Sequence, residues 1–361
     1  MSESKNKPFI IPVFLPNVGC PHQCAFCNQT AITGEKQKTI STEKLNLYIN
    51  EFLNYKKPQR GKVQISFYGG NFLGLKKDYA GLLLHEATKF VIRGNVDSIR
   101  FSTRPDTIDK DRLDFIKDFP VSTIELGAQS MDDRVLTMAK RGHTSLDTEK
   151  AVCLLKERNY EIGIQMMVGL PGDDDTGALA SGRRIAELYP DFVRIYPTLV
   201  LDKSPLANWY RKGEYTPLPL QECVTLVKRL YLLFEEKNIT VIRMGLQASE
   251  SLDRESTILA GPYHPAFGAL VYSEIFLDKA VSILESKKDL HDMISIRVNQ
   301  RNISRIRGLN NTNIKTLKQK FHIRSIEIIP DMTLAEDMLV VGHLPSVERN
   351  PQGRSRQAKR V

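Results

Sequence analysis

From residue 9 onward the chain repeats one unit: a short apolar or β-branched run, then a longer segment whose apolar residues recur at helical spacing. Strands are expected over 9–15, 63–68, 98–103, 123–126, 163–168 and 193–200, and helices over 42–55, 79–92, 109–116, 132–139, 147–157 and 175–188. Strands separated by a whole helix are joined by crossovers, so the alternation predicts an α/β protein with a parallel sheet. Several of the runs are continuously apolar, as in strands covered by helices. The order alone leaves open whether the sheet is flat or curled. A helix over 220–236 and a strand over 240–244 extend the pattern to about residue 249, after which the period is lost. Residues 250–290 are less regular, around the loop "AGPYHPAFG", and 294–341 suggest a strand ("ISIRV"), a basic helix over 313–320, a strand ("SIEII") and a last apolar segment ("MLVVG"). The expected division is a core domain over 1–250, a small α+β domain over 251–344 and a basic tail over 345–361, too poor in apolar residues to order itself.

The 361 residues, 41% of them hydrophobic, are enough to fill such cores. The longest apolar run near the start, "FIIPVFLP", is too short for a membrane span and carries two prolines; Ser2 to Pro8 lacks the character of a secretory signal. A cytoplasmic protein with no membrane partner is therefore expected. Five cysteines, three within eight residues, do not make a disulfide framework, and a reducing compartment leaves them free as metal ligands. The net charge of +9 is unevenly placed: residues 297–324 hold eight Lys or Arg and no acid, and 345–361 hold five basic residues against Glu348. Such asymmetry points to a polyanion, against the plainer reading of a solvated face.

Cys20, Cys24 and Cys27 stand in one loop after the first strand, in "NVGCPHQCAFCNQT". Three soft thiolates suit either zinc or an iron-sulfur cluster. Closed zinc needs a fourth ligand, for which His22 and the distant Cys153 and Cys223 are the candidates. Three ligands without a fourth leave one iron of a 4Fe-4S cluster open to bind something else.

The spacing Cys20-x3-Cys24-x2-Cys27, with Phe26 before the last cysteine, resembles the cluster loop of the radical S-adenosylmethionine (radical SAM) superfamily. "FYGGNF", with Gly69, Gly70 and Asn71, resembles the glycine motif that accepts the methionyl amino group, although a Thr, Ser or Glu is more usual at position 71. "FSTRPDTI", "ELGAQSMDDRVL", "KRGHT" and "MVGLPGD" fall where the superfamily keeps its other contacts; by that resemblance Ser102, Gln129, Arg141 and Gln165 contact adenosylmethionine. A side chain at Gly70 is expected to weaken that binding while leaving iron in place. Within the superfamily, "STRPDTID", "RGHT", "MMVGLPGDDD", "VRIYPTLVLDKSPLANWYRKGEYTPL" and "VIRMGLQASE" resemble the radical domain of the Elongator catalytic subunit, over roughly residues 9–250. No acetyltransferase domain is expected after it, since the nearest approach to a coenzyme A loop, "RIRGLN", ends in Asn310 where Gly or Ala belongs.

The resemblance implies a partial (β/α)6 barrel with a small C-terminal α+β appendage, a 4Fe-4S cluster on Cys20, Cys24 and Cys27, and an enzyme that reductively cleaves S-adenosylmethionine to a 5′-deoxyadenosyl radical. The expected substrate is RNA, in particular tRNA, and the expected electron donor a protein such as ferredoxin or flavodoxin. Tyr196, Trp209, Tyr210 and Tyr215, interleaved with Arg194, Lys203, Arg211 and Lys212, suit stacking of a flipped-out base. Alternatives are a radical enzyme on a small-molecule, porphyrin or peptide substrate, and a non-catalytic carrier of the cluster and SAM.

Overall fold

Seven parallel strands in chain order form the main sheet of this computed structural model: β1 (Phe9–Phe14), β2 (Val63–Tyr68), β3 (Ser98–Thr103), β4 (Val121–Gln129), β5 (Glu161–Val168), β6 (Phe192–Pro197) and, past a short β7 (Val200–Leu201), β8 (Thr240–Met244). The structure describes residues 8–33, 39–55, 61–246, 257–287 and 291–343. Between the strands run α1 (Gln29–Thr33), α2 (Thr42–Asn54), α3 (Lys77–Ile92), α4 (Lys110–Ile116), α5 (Asp133–Met138), α6 (Ser145–Glu157), α7 (Asp175–Glu187), α8 (Pro205–Arg211) and α9 (Leu220–Glu236). Their starts are written locally. Ser41, Asp109, Asp132, Thr144, Asp174 and Ser204 each accept a main-chain N–H of the first turn, and Thr144 with Asp147 completes a capping box.

The sheet is curled. Arg194 on β6 donates to the Tyr68 hydroxyl on β2 at 3.1 Å, although three strands separate the two. In a flat sheet those strands would lie about 19 Å apart at the usual inter-strand spacing. Glu125 on β4 meets both Arg100 on β3 and Arg194 at 2.6 Å, so side chains of β2, β4 and β6 converge in one layer, as in barrels. With the ordered series β1 to β8 open at its ends, this is the partial barrel expected, plus one strand.

The expected fourth strand, 123–126, runs on to Gln129 through a register shift between Leu126 and Gln129. The expected sixth, 193–200, ends at Pro197; Val200–Leu201 instead pairs antiparallel with β9 (Ile258–Ala260). The expected domain boundary at 250 lies outside the described residues, as does the tail 345–361. By contacts the chain divides into Met1–Gly268 and Ala269–Val361, and β9 falls in the first unit.

Residues 267–285, which showed no clear period, form the long helix α10 (Phe267–Glu285). Its pattern is obscured because apolar residues lie on more than one side: Phe276, Ala280 and Leu284 are buried in one cluster, and Val271 and Ile275, on another side of the helix, are buried as well. In the second unit β10 (Met293–Val298) is central, parallel to β11 (Ser325–Pro330) and antiparallel to β12 (Leu339–His343). Between β10 and β11 come α11 (Ile303–Arg307) and α12 (Thr312–Phe321), the latter close to the expected basic helix. Ile294, Ile296, Val298, Ile306 and Leu317 complete a core of this unit's own. Among the described residues no helix is long and apolar enough to cross a membrane.

Candidate functional site

All strands of a parallel sheet end on the same side, and the loop carrying Cys20, Cys24 and Cys27 is fastened to several of those ends. Asn71 N donates to Val18 O at 3.0 Å and Asn71 Nδ2 to Gly19 O at 2.9 Å, tying the loop to the end of β2. Ala25 N donates to Ala139 O at 2.9 Å, while Ala25 O accepts Leu206 N at 2.8 Å, tying it to the segments after β4 and β7. Asn28 Nδ2 donates to Asp202 O at 2.6 Å. Phe26 packs against two buried clusters, one of Val135, Ala139, Met167 and Leu170 and the other of Val200, Leu206, Ala207 and Tyr215.

The glycines make these approaches possible. A Cβ on Gly70 would lie 2.2 Å from Val18 O, and one on Gly19 2.2 Å from Asn71 O. Gly70 therefore answers to the backbone two residues before Cys20, and bulk there would displace the cysteine loop. That contact argues against iron being spared in a Gly70 variant. Gly69 has φ +108°, a conformation open to glycine, and faces Leu15 main chain. Asn71 is buried, and its Oδ1 accepts from Thr103 Oγ1 at 2.6 Å, Thr107 Oγ1 at 2.9 Å and Arg104 N at 3.0 Å. Its side chain is thus a clamp joining the cysteine loop to the end of β3.

Arg141 and Arg104 supply charge beside the thiols. Arg141 Nη1 donates to Cys24 Sγ at 3.1 Å and its Nη2 to Gly127 O; Arg104 pairs with Asp106 at 2.9 Å and donates to Arg141 O. A Cβ on Gly127 would lie 3.0 Å from Gln129 Nε2, and Gln165 Nε2 donates to Gln129 Oε1 at 3.3 Å, so Arg141, Gln129 and Gln165 are drawn together. Gln129 has φ +71° where the strand register shifts, which re-aims its side chain. Ser102 is half-buried on β3, in register with Glu125. Arg104 was not singled out in the sequence although it lies in "FSTRPDTI"; its signal is only that it is buried. Likewise Arg100, Glu125 and Arg194 interrupt apolar strand runs, the one visible sign of an internal charge network.

Burial, then the neighbouring thiols Cys24 and Cys20, pushes the Cys27 thiol up to about 12; burial first also raises Cys20. Cys20 and Cys27 are thus held toward the protonated form, and a bound cation would reverse that by stabilising thiolates. Arg104 Nη1 and Arg141 Nε are buried with no hydrogen-bond partner, an arrangement that asks for an anion. Soft donors next to unsatisfied cations fit an iron-sulfur cluster, whose thiolates bring the negative charge. Among the described residues no three His, Cys, Asp or Glu are grouped to hold a single metal ion. His22 is exposed against Gly142, and Cys153 and Cys223 lie on α6 and α9.

Of the expected stacking aromatics, Tyr215 is core: it is 9% exposed and donates to Gly169 O at 2.7 Å. Tyr196 and Trp209 are half-buried, Lys140 Nζ lies 5.5 Å from the Trp209 ring centre, and Tyr210 is exposed. Arg194 faces the barrel interior, and Arg211 pairs with Asp202 at 2.8 Å.

A family model described as the radical SAM superfamily matches residues 14–180, and one described as the radical SAM C-terminal domain matches 190–276. The chain is 28% identical over 241 residues to a tRNA uridine(34) acetyltransferase of Dehalococcoides mccartyi, covering 58% of this chain and 52% of that protein. It is 30% identical over 234 residues to an uncharacterized protein of Methanocaldococcus jannaschii, covering 62% and 71%. Among solved structures, Elp3 of Methanocaldococcus infernus, lacking its N-terminus, superposes with a TM-score of 0.59 at 19% identity over 76% of this chain and 63% of that one, a likeness of fold. The chain spans about half the length of the acetyltransferase relatives from D. mccartyi and M. infernus.

Proposed function

Because this chain belongs to the radical SAM superfamily of enzymes, we propose that Cys20, Cys24 and Cys27 hold a 4Fe-4S cluster and that the protein reductively cleaves S-adenosylmethionine to modify RNA, with tRNA the favoured substrate. The observation that carries the reading is the Arg141 side chain, which joins Cys24 Sγ to Gly127 O and leaves Nε buried and unsatisfied. A cluster held by Cys20, Cys24 and Cys27 would supply, once reduced by an external electron donor, the electron for reductive cleavage of a carbon–sulfur bond of the sulfonium. The residues of this chain bind and orient. The strand ends at Gly69, Gly70, Ser102, Gln129 and Gln165 offer main-chain and amide groups to the methionyl and ribose parts, and Arg141 faces the carboxylate. Asn71 serves that site through the loop it clamps. The apolar packing of Phe26, Met167 and Leu170 shuts water from one side of the loop. The tRNA assignment rests on what the relatives are named for and on the basic C-terminal fifth.

The test is anaerobic reconstitution followed by iron analysis, an assay for 5′-deoxyadenosine, and nucleoside mass spectrometry of tRNA from cells with and without the gene. Cys24→Ala abolishes iron binding and cleavage, whereas Cys153→Ala and Cys223→Ala retain both. Iron loss in either of the latter, or stoichiometric zinc without iron, overturns the ligand assignment. Unchanged tRNA nucleosides overturn the substrate.

A further inference from the structure

The basic segment of the second unit is sorted by its own acids. Arg297 pairs with Asp331 at 3.4 Å, Arg301 pairs with Glu336, and Lys320 pairs with Glu285 at 2.7 Å. Arg305 donates to Asn302 Oδ1 at 2.8 Å and lies over the Tyr272 ring. Arg307, Lys315, Lys318 and Arg324 have no acidic partner among the described residues, and Arg307, Lys315 and Arg324 are exposed. Lys315 and Lys318 stand one turn apart on α12, and Arg307 ends α11.

The turn joining those helices is Gly308-Leu309-Asn310-Asn311. Gly308 has φ +71° and ψ 171°, a conformation that only glycine adopts readily, and a Cβ there would lie 2.5 Å from Thr312 Oγ1. Asn310 and Asn311 are left-handed at φ +52° and +59°, and Leu309 at the tip is 53% exposed. The strain is held from beneath by the buried Asn313, which donates to Ser273 O at 2.9 Å and to Arg305 O at 3.2 Å.

From this we infer that the unit formed by β10, α11, α12 and β11 binds a single-stranded RNA segment, with Arg307, Lys315 and Lys318 on its phosphates and the 308–311 turn against its backbone. Strand, helix, glycine-led turn, helix, strand is the arrangement by which KH modules clamp about four nucleotides of backbone. Here left-handed Asn311 stands where such a turn closes with glycine. A surface whose acids neutralise one set of cations and leave the neighbouring set bare is complementary to a polyanion. Both matched family models end by residue 276, so the inference concerns residues they do not describe. It deepens the RNA reading above by naming where, and in what form, the RNA is held.

The experiment measures binding of the full chain to a single-stranded oligoribonucleotide, a duplex of equal length and a tRNA transcript across a salt series. Wild-type protein is expected to prefer the single strand to the duplex. Replacing Arg307, Lys315 and Lys318 together with Gln is expected to weaken single-strand binding about tenfold and flatten the salt slope by about 2, at roughly 0.7 per lost contact. Arg301→Gln, at an internally paired position, leaves the slope unchanged. An unchanged slope in the triple variant, a preference for duplex, or no affinity at low salt overturns the inference. Formation of 5′-deoxyadenosine without RNA is measured in parallel and is unaffected by the triple variant. RNA binding by a protein that forms none supports this inference and overturns the radical chemistry, whereas cleavage without RNA binding does the reverse.

Discussion

Arg100, Arg104 and Arg141 in the first unit are buried, whereas Arg307, Lys315 and Arg324 in the second are exposed. The same charge does different work in the two places. In the barrel a guanidinium out of water must find partners, so each arginine is fixed by named contacts: Arg100 and Arg194 on Glu125, Arg104 on Asp106, Arg141 on Cys24 and Gly127. Such groups hold position, and removing one partner is costly. On the surface of the second unit each cation is screened and worth little alone, so it matters only as part of a set facing another charged surface. Substitutions in the two units should therefore differ both in size and in what they disturb.

The largest effect is expected at Gly70→Val. The new side chain meets Val18 O and Leu15 O, forcing the cysteine loop off the end of β2, so iron content and adenosylmethionine binding fall together. Iron retained at wild-type stoichiometry would show that the loop tolerates the displacement. Next, Glu125→Gln leaves Arg100 and Arg194 without their counter-charge and should cost about 3–5 kcal/mol in denaturant unfolding. Burial pushes the Glu125 carboxyl up, but Arg194 and Arg100 outweigh burial and hold it below the ordinary range. A loss below about 1 kcal/mol would mean that the network is hydrated, in the manner of a surface pair.

A third effect depends on pH. Burial first, then Arg141 and Arg104, pushes the His143 imidazole from its ordinary 6.5 down to about 4. Between those values the unfolded chain takes up a proton that the folded chain refuses, so acidification favours unfolding. The contribution is fully present above pH 6.5 and falls away by about 3 kcal/mol as pH drops to 4. Urea unfolding of the metal-free protein at pH 7 and pH 5 reads it out, and His143→Gln should flatten the difference. The smallest effect is expected in the second unit: Arg301→Gln removes an exposed pair with Glu336 and should change stability by about 1 kcal/mol or less, measured by the same unfolding.

Much of the barrel was legible because its signals are local. A strand followed by a helix shows its period within a dozen residues, and β2, β3, β5 and β8 lie within a residue or two of the runs that predicted them. The cysteine spacing and the Gly69–Gly70 pair are likewise contiguous, and so is the basic run. Helix α10 was missed for the converse reason, since a helix with buried residues on more than one side carries no clear polar stripe to mark its turns.

The curl of the sheet, which the family resemblance implied but the strand pattern did not, the clamp at Asn71 and the sorting of the basic run each join residues far apart in the chain and so left no local signal. Arg194 reaches Tyr68 across 126 positions, and Asn71 reaches Thr103 across 32. Strand order says which strands are neighbours; how far the sheet bends depends on twist accumulated over all seven and on the side chains that close over its inner face. Composition likewise counted eight cations between residues 297 and 324 without saying which would meet Asp331, Glu336 or Glu285. A residue's type sets what it can bind, but its partner is chosen by whatever the fold brings within about 3 Å of it.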